Sequence, residues 1–147
     1  MRQQLLQVGT ITGTAGVHDE GLYTAENVAA VYDALLRYPH DHLRAGQTVI
    51  LDATWRDVCQ RGRARKLADE TDSPIVDFTC RVPMDEAAAR IQNRPAATSD
   101  ATPQIAAALA EHNGGWFDAH PIDTGRPLAD SVAEAMKYIV SLPDAGN

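Results

Sequence analysis

A short apolar run that ends in an acidic residue most constrains what this chain can fold into. Residues 48–52, Thr-Val-Ile-Leu-Asp, are uninterrupted, rich in β-branched side chains and bounded by Gly46 and a polar turn. That pattern predicts a buried strand. A basic helix is predicted over 57–70, and further strands over 75–80 and 120–123. Because strands that alternate with helices favour crossovers, we predict an α/β fold with a mainly parallel sheet flanked by helices.

The remaining helices are indicated by capping residues, prolines and apolar spacing. Thr24 can cap a helix whose apolar residues recur at helical spacing as far as Pro39, where we expect it to kink or end. Pro83 and Pro103 are each expected to begin a helix, and a last helix is predicted over 128–142.

The start of the chain is harder to assign. Residues 1–23 are rich in glycine and threonine and are predicted to be an irregular N-terminal segment. Within them, residues 5–11 are apolar enough to form a strand instead. Since 147 residues suffice for one domain and little more, residues 1–147 are expected to form a single domain.

Composition excludes several classes of function. The formal net charge of −7 repels phosphate backbones, so we expect no nucleic-acid partner. No run approaches the ~20 apolar residues of a membrane helix, and no signal peptide is recognisable, so we expect no membrane partner. The two cysteines lack the spacing of a disulfide framework, which fits a reducing compartment. The expected location is therefore the cytoplasm.

Asp52 is the most informative single position. In parallel α/β sheets, ligands bind beyond the carboxyl ends of the strands, and Asp52 ends the predicted strand. A carboxylate there can hold Mg²⁺ or accept a proton from an attacking hydroxyl, and Thr54 can add a phosphate or water contact. The alternative is that Asp52 only caps the following helix.

The predicted basic helix and the turn before it concentrate positive charge in an otherwise acidic chain. Five cationic residues lie there: Arg56, Arg61, Arg63, Arg65 and Lys66. They either hold an anionic substrate or form a solvated face that neighbouring acidic residues balance.

Three short motifs, in this order and spacing, resemble a known family: GLYT at 21–24, VILDAT at 49–54 and SDA at 99–101. The chain is similar to small P-loop kinase-like ATP-binding domains. These include gluconate-kinase-like and polynucleotide-kinase-like proteins, and bacterial ATP-binding domains fused to aminoglycoside-phosphotransferase-like domains. The resemblance covers nearly the whole chain and implies a P-loop kinase fold, with ATP and Mg²⁺ as cofactors and an unidentified small molecule as substrate.

The resemblance also implies catalytic roles for three residues. Asp52 matches the acidic residue near Mg²⁺ and the acceptor, and is the expected metal ligand. Arg90 and Arg94 match lid arginines, which close over the phosphates and neutralise charge in the transition state. A solvated helix face is the alternative interpretation of the two arginines.

Cofactor binding is implied at two places. Thr54 is expected to contact the phosphates or the metal-bound water. The loop after the last strand matches the place where such kinases approach adenine, and an ordinary turn is the alternative there. That loop consists of Asp123, Thr124 and Gly125.

One departure from the family outweighs these matches. P-loop kinases need G-x-x-x-x-G-K-[ST], whose backbone N–H groups and lysine hold the phosphates, and these 147 residues contain no such motif. The resemblance therefore implies the fold without its first strand–loop–helix. We expect a truncated relative of an ATP-dependent kinase, impaired or inactive alone, with a homo-oligomer or a partner chain supplying the P-loop. The alternative is a non-catalytic ligand-binding or protein-interaction module derived from that fold.

Overall fold

The computed structural model describes residues 2–13, 24–93 and 115–143. Within these ranges, helices α1 to α6 and strands β1 and β2 follow one another along the chain. In order they are α1 (Arg2–Gln7), α2 (Ala25–Arg37), α3 (Pro39–Arg44), α4 (Val58–Glu70), β1 (Phe78–Arg81), α5 (Met84–Gln92), β2 (His120–Asp123) and α6 (Leu128–Val140).

The two strands form a parallel sheet flanked by helices. Phe78 lies opposite His120 and Arg81 opposite Asp123, so both carboxyl ends lie at the same edge. Helix α6 packs against β2, while α2 packs against α3 and α4. The predicted α/β class with a parallel sheet is confirmed. The sheet begins where the His120 N–H donates to the Asp77 carbonyl at 2.8 Å, so β1 starts later than residue 75.

The predicted buried strand at 48–52 does not form among the described residues. No main-chain hydrogen bond of this part of the structure joins residues 48–54 to another backbone group. Ile50 is 86% exposed, although its side chain is typical of a buried strand. The prediction is wrong here because a strand requires a neighbour, and within the described ranges β1 pairs with β2 alone.

The start of the chain also differs from the prediction. Residues 2–7 are helical rather than irregular, and no strand forms over 5–11, because leucine and glutamine are good helix formers. Gly9 ends α1 at a φ of 72°, while the Thr10 N–H donates back to the Leu5 carbonyl at 2.9 Å. This is the Schellman end that glycine permits.

Helix starts follow the predictions closely. The Thr24 side chain accepts from the Asn27 N–H at 3.4 Å and caps α2. Asp57 accepts from the Cys59 N–H at 2.8 Å, so Asp57, and not Asp52, caps α4. Pro39 occupies the first turn of α3, where its missing N–H costs nothing. The helix expected from Pro103 lies outside the described residues.

The main apolar cluster joins α2, α4 and the loop between residues 50 and 57. Its buried members are Tyr32, Leu36, Trp55, Ala64 and Leu67. The rings of Tyr32 and Trp55 meet edge to face, with 5.2 Å between centroids. Trp116, which precedes β2, packs against the same cluster. The core therefore fixes the loop that carries Asp52 and Thr54.

Candidate functional site

Asp52 lies at the surface, between two residues that the structure holds in place. Its side chain is exposed and has no hydrogen bond or ion pair among the described residues. The Trp55 indole N–H donates to the Leu51 carbonyl at 3.1 Å and closes a small loop around residues 52–54. The carboxylate is therefore open to a ligand while the backbone on either side of it is tied together.

The backbone of Trp55 is unusual. Its φ is 49°, in the left-handed region that a large aromatic residue rarely adopts. Its N–H donates to the Tyr32 hydroxyl at 3.0 Å. The same hydroxyl lies 3.4 Å from the Thr54 Oγ1. Tyr32 thus contacts both residues that follow Ala53 in the loop.

Arg61 holds the far side of this loop. Its Nη1 donates to the carbonyls of Trp55 at 2.8 Å and Arg56 at 3.2 Å. Its guanidinium lies over the Trp116 ring, 5.1 Å from the ring centre. A cation over an aromatic face is an attractive contact, so Arg61 links the loop to the segment before β2.

A second group of predicted residues lies at the carboxyl ends of β1 and β2. The Thr124 N–H and Oγ1 both donate to the Arg81 carbonyl, at 2.7 and 2.9 Å. The Asp123 carboxylate accepts from the Gly125 N–H at 2.8 Å. A Cβ on Gly125 would come within 3.2 Å of that carboxylate, so a side chain here would crowd the turn.

Arg90 joins this second group. Its Nη2 donates to the Thr124 carbonyl at 2.7 Å and to Glu86 one turn earlier on α5. The guanidinium predicted to close over phosphates therefore makes contacts within the protein. In the part of the chain that is described, no hydrogen bond or ion pair links Arg90 to Asp52.

Ser131 on α6 and Arg126, just before α6, hold the loop at 123–125 in place. The Ser131 hydroxyl, on a residue 6% exposed, donates to the Asp123 carbonyl at 2.8 Å. Arg126 forms ion pairs with Asp123 and Glu134. The hydrogen bond to Glu134 raises the pKa of the Arg126 guanidinium above its ordinary value, so this charge persists at neutral pH.

We expect Ser131→Ala to lower the free energy of unfolding by about 1 kcal/mol, because a buried hydrogen bond is lost. Urea denaturation measures the change. Ser141→Ala is the matched control, since its exposed hydroxyl donates to the Tyr138 carbonyl at the same 2.8 Å. The control should stay within about 0.5 kcal/mol of the unsubstituted chain. Equal losses in both variants would contradict the anchoring role of Ser131.

The predicted site residues thus fall into two groups. Asp52 and Thr54 lie on the loop held by the apolar cluster, and Arg90 lies with the turn at 123–125. Arg94 and the SDA motif at 99–101 lie outside the described residues, so the role of Arg94 stays a prediction. An ion pair between Arg65 and Asp77, at 2.7 Å, connects the two groups. Arg65 lies on α4, which packs near the first group, and Asp77 directly precedes β1, which ends at the second.

Comparison with known families decides what kind of domain this is. A family model described as an AAA domain matches residues 2–113, about three quarters of the chain. The chain belongs to the AAA domain family. This is a P-loop NTPase-like kinase family, whose members generally bind nucleoside triphosphates with Mg²⁺. The resemblance to P-loop kinase-like domains is confirmed at that level, whereas the link to fused aminoglycoside-phosphotransferase-like proteins stays a prediction.

Mycobacterial proteins are among the relatives of this AAA domain. It is 47% identical, over 135 residues and 92% of its length, to uncharacterized proteins of Mycobacterium tuberculosis (strains H37Rv and CDC 1551) and Mycobacterium bovis. The chain spans 27% of the length of these relatives. No solved structure matches it. Among the helices described, none has the length and apolar character needed to cross a membrane.

The donor set at Asp52 fits the magnesium that the AAA domain family uses. Mg²⁺ is commonly held by one or two carboxylates, with water and substrate phosphates completing the octahedron. Asp52 supplies one exposed carboxylate with no competing partner within the described ranges. No cluster of three or more metal-binding side chains occurs in those ranges.

The basic residues of α4 in the AAA domain have structural partners. Arg63 pairs with Asp33 at 2.6 Å, Arg65 with Asp77 and Lys66 with Glu70. Arg61 is occupied by main-chain carbonyls. These contacts favour a helix face whose positive charges are balanced by acidic residues over a site for an anionic substrate.

The sequence does not indicate which residues shape the Asp52 loop, namely Tyr32, Trp55 and Arg61. No local signal identifies them, because the hydrogen bond between Tyr32 and Trp55 joins positions 23 residues apart. The sequence signals that point to this loop are the apolar run that ends in Asp52 and the VILDAT motif at 49–54.

Proposed function

We propose that this chain supplies the residues of an ATP-dependent small-molecule kinase that bind the metal ion and the acceptor substrate. In this proposal the chain alone is inactive or impaired, because its residues include no phosphate-cradling motif. The proposal rests on membership of the AAA domain family, together with the exposed Asp52 side chain and the structured loop that carries it.

The observation that carries the proposal is the unpaired segment before Asp52. This segment contains the β-branched residues Thr48, Val49 and Ile50, and Ile50 is 86% exposed. Residues 48–54 have no main-chain partner in the described structure. Unpaired, exposed strand-forming segments readily accept another strand. A strand–loop–helix unit from outside these 147 residues would pair there and bring its phosphate-binding loop next to Asp52. We propose two sources for this strand–loop–helix unit, a second copy of the chain in a homo-oligomer or a partner chain.

Each predicted site residue within the described ranges has a role in this arrangement. Asp52 holds the cation or accepts the proton of the acceptor hydroxyl, and Thr54 donates to a phosphate oxygen or a bound water. Bound Mg²⁺ supplies charge neutralisation on the phosphates. The turn of Asp123, Thr124 and Gly125 borders the nucleotide. Arg90 contributes positive charge once a ligand competes for its present partners.

One observation favours a second candidate, a non-catalytic binding or interaction module. The Arg90 Nη2 already donates to Glu86 and to the Thr124 carbonyl, so moving that nitrogen onto a phosphate means giving up these two contacts. A module that binds another chain through the unpaired segment at 48–54 needs no such rearrangement.

Calorimetric titration with ATP and Mg²⁺ separates the two candidates. The 147-residue chain alone should bind ATP weakly, with a dissociation constant above about 1 mM. Fusing a strand–loop–helix unit that contains G-x-x-x-x-G-K-S ahead of Arg2 should bring the constant to about 10–100 µM. The matched control is the same unit with its motif lysine replaced by alanine, which keeps the strand but removes the phosphate contact.

Two results would contradict the kinase proposal. Micromolar ATP binding by the chain alone would show that no added P-loop is required. A well-folded fusion that binds no ATP would instead favour the binding module.

A further inference from the structure

The Tyr32 hydroxyl has a place in the structure that apolar packing does not explain. The residue is 6% exposed, and its ring contacts Trp55 within the apolar cluster. A phenylalanine ring would make the same apolar contacts. Among the described residues, the hydroxyl adds two hydrogen-bond contacts, to the Trp55 N–H and the Thr54 Oγ1, and both lie in the Asp52 loop.

The Tyr32 hydroxyl lies between two groups of the Asp52 loop. The Trp55 N–H donates to the Tyr32 oxygen, and a hydroxyl that accepts one hydrogen bond becomes a better donor to the next group. The Tyr32 and Thr54 oxygens are 3.4 Å apart, and either oxygen can be the donor between them. In the arrangement in which Tyr32 donates, the Thr54 hydroxyl keeps its own proton for an acceptor outside the loop, such as a phosphate oxygen.

The loop is fixed at its other end as well. The Trp55 indole ties Leu51 to Trp55 across residues 52–54, and Arg61 holds the carbonyls after them. Fixing a ligand-binding loop in advance lowers the entropy that must be lost on binding. The left-handed backbone of Trp55 persists because these neighbours hold it, which is typical of functional loops.

We propose that Tyr32 is a positioning residue, which orients Thr54 as a phosphate donor and holds Asp52 toward the cation before any ligand binds. This inference rests on the proposed function and adds a residue that acts through Thr54 and Trp55 without touching the ligand itself. In this inference the partner of the Thr54 hydroxyl is a hydrogen-bond acceptor, here a phosphate oxygen.

Tyr32→Phe tests the inference, with Tyr38→Phe as the matched control. Tyr38 is 67% exposed, and its ring lies tilted against the His42 ring, so the control deletes a hydroxyl that does not contact the loop. In the 147-residue chain, amide hydrogen exchange at Trp55 should become at least about tenfold faster in Tyr32→Phe, because that N–H loses its acceptor. Tyr38→Phe should leave exchange at Trp55 unchanged.

The second measurement uses the fusion that carries the P-loop unit. Tyr32→Phe should weaken Mg²⁺-ATP binding about tenfold, while binding of adenosine, which lacks phosphate, should change less than about twofold. A general loss of structure would weaken both ligands equally, so this difference distinguishes positioning from stability.

The two measurements fail separately. Unchanged exchange at Trp55 would overturn the positioning role whatever the chain binds. Faster exchange at Trp55 with unaltered Mg²⁺-ATP affinity would show that the Tyr32 hydroxyl only stabilises the loop. That result would overturn its proposed role in positioning the site for the ligand. If the unsubstituted fusion binds no Mg²⁺-ATP, the proposed function and the ligand chemistry assigned to Thr54 fall together, while exchange at Trp55 still decides whether Tyr32 holds the loop.

Discussion

Replacing Trp55 by alanine is expected to lower the free energy of unfolding by about 3–5 kcal/mol, the usual range for removing a large aromatic side chain from a core. Trp55 is 8% exposed and packs edge to face with Tyr32. The change also deletes the indole N–H that donates to the Leu51 carbonyl. Chemical denaturation of the purified chain measures the loss.

The backbone of Trp55 gives this experiment a sharper form. At a φ of 49°, alanine keeps the conformational cost that tryptophan bears, whereas glycine relieves it. Trp55→Gly should therefore be about 1 kcal/mol less destabilising than Trp55→Ala, although glycine is normally the worse substitution. Trp116 does not have a positive φ, so there the glycine variant should be more destabilising than the alanine variant. The normal order at Trp55 would refute the left-handed conformation and weaken the case for a held loop.

The second large effect is expected at Asp52. In the fusion that carries the P-loop unit, Asp52→Asn should lower the rate of Mg²⁺-dependent ATP turnover about 100-fold or more. Asparagine keeps the size and the hydrogen-bonding oxygen but removes the negative charge, which both cation binding and proton acceptance require. A coupled assay of ADP release measures turnover, and calorimetry measures ATP affinity with and without Mg²⁺.

Asp57→Asn is the matched control for this substitution. Asp57 is also an exposed aspartate at the end of the same loop, and asparagine caps helices as well as aspartate does. Turnover in the control should stay within about twofold of the parent fusion. A similar loss in both variants would point to the net charge of the loop rather than to Asp52. Unchanged turnover in Asp52→Asn would remove Asp52 from the proposed catalytic residues.

Much of the local structure was predictable from the sequence. Thr24 caps α2 as predicted, α4 occupies 58–70 where a helix was predicted over 57–70, and β2 occupies the residues predicted for it. These features depend on groups a few positions apart, such as the Thr24 side chain and the Asn27 N–H. The candidate site was predictable in part: the apolar run pointed to Asp52, but its supporting residues were not identified.

The strand predicted at 48–52 shows where local patterns stop being sufficient. Its β-branched residues favour an extended backbone, and the described structure leaves that backbone without a main-chain neighbour. Arg90 gives a second case, since its contact with the Thr124 carbonyl spans 34 residues. Neither outcome can be read from the flanking sequence.

The sequence by itself determined the α/β class, the starts of α2, α4, α5 and α6, and the acidic residue of the candidate site. Only the tertiary structure decided that β1 pairs with β2 alone within the described residues, that Tyr32, Trp55 and Arg61 hold the Asp52 loop, and that Arg90 lies against Thr124. The physical reason is the distance along the chain to each hydrogen-bond partner. A helix finds its partners within four residues, whereas strands and held loops depend on groups that only the folded chain brings together.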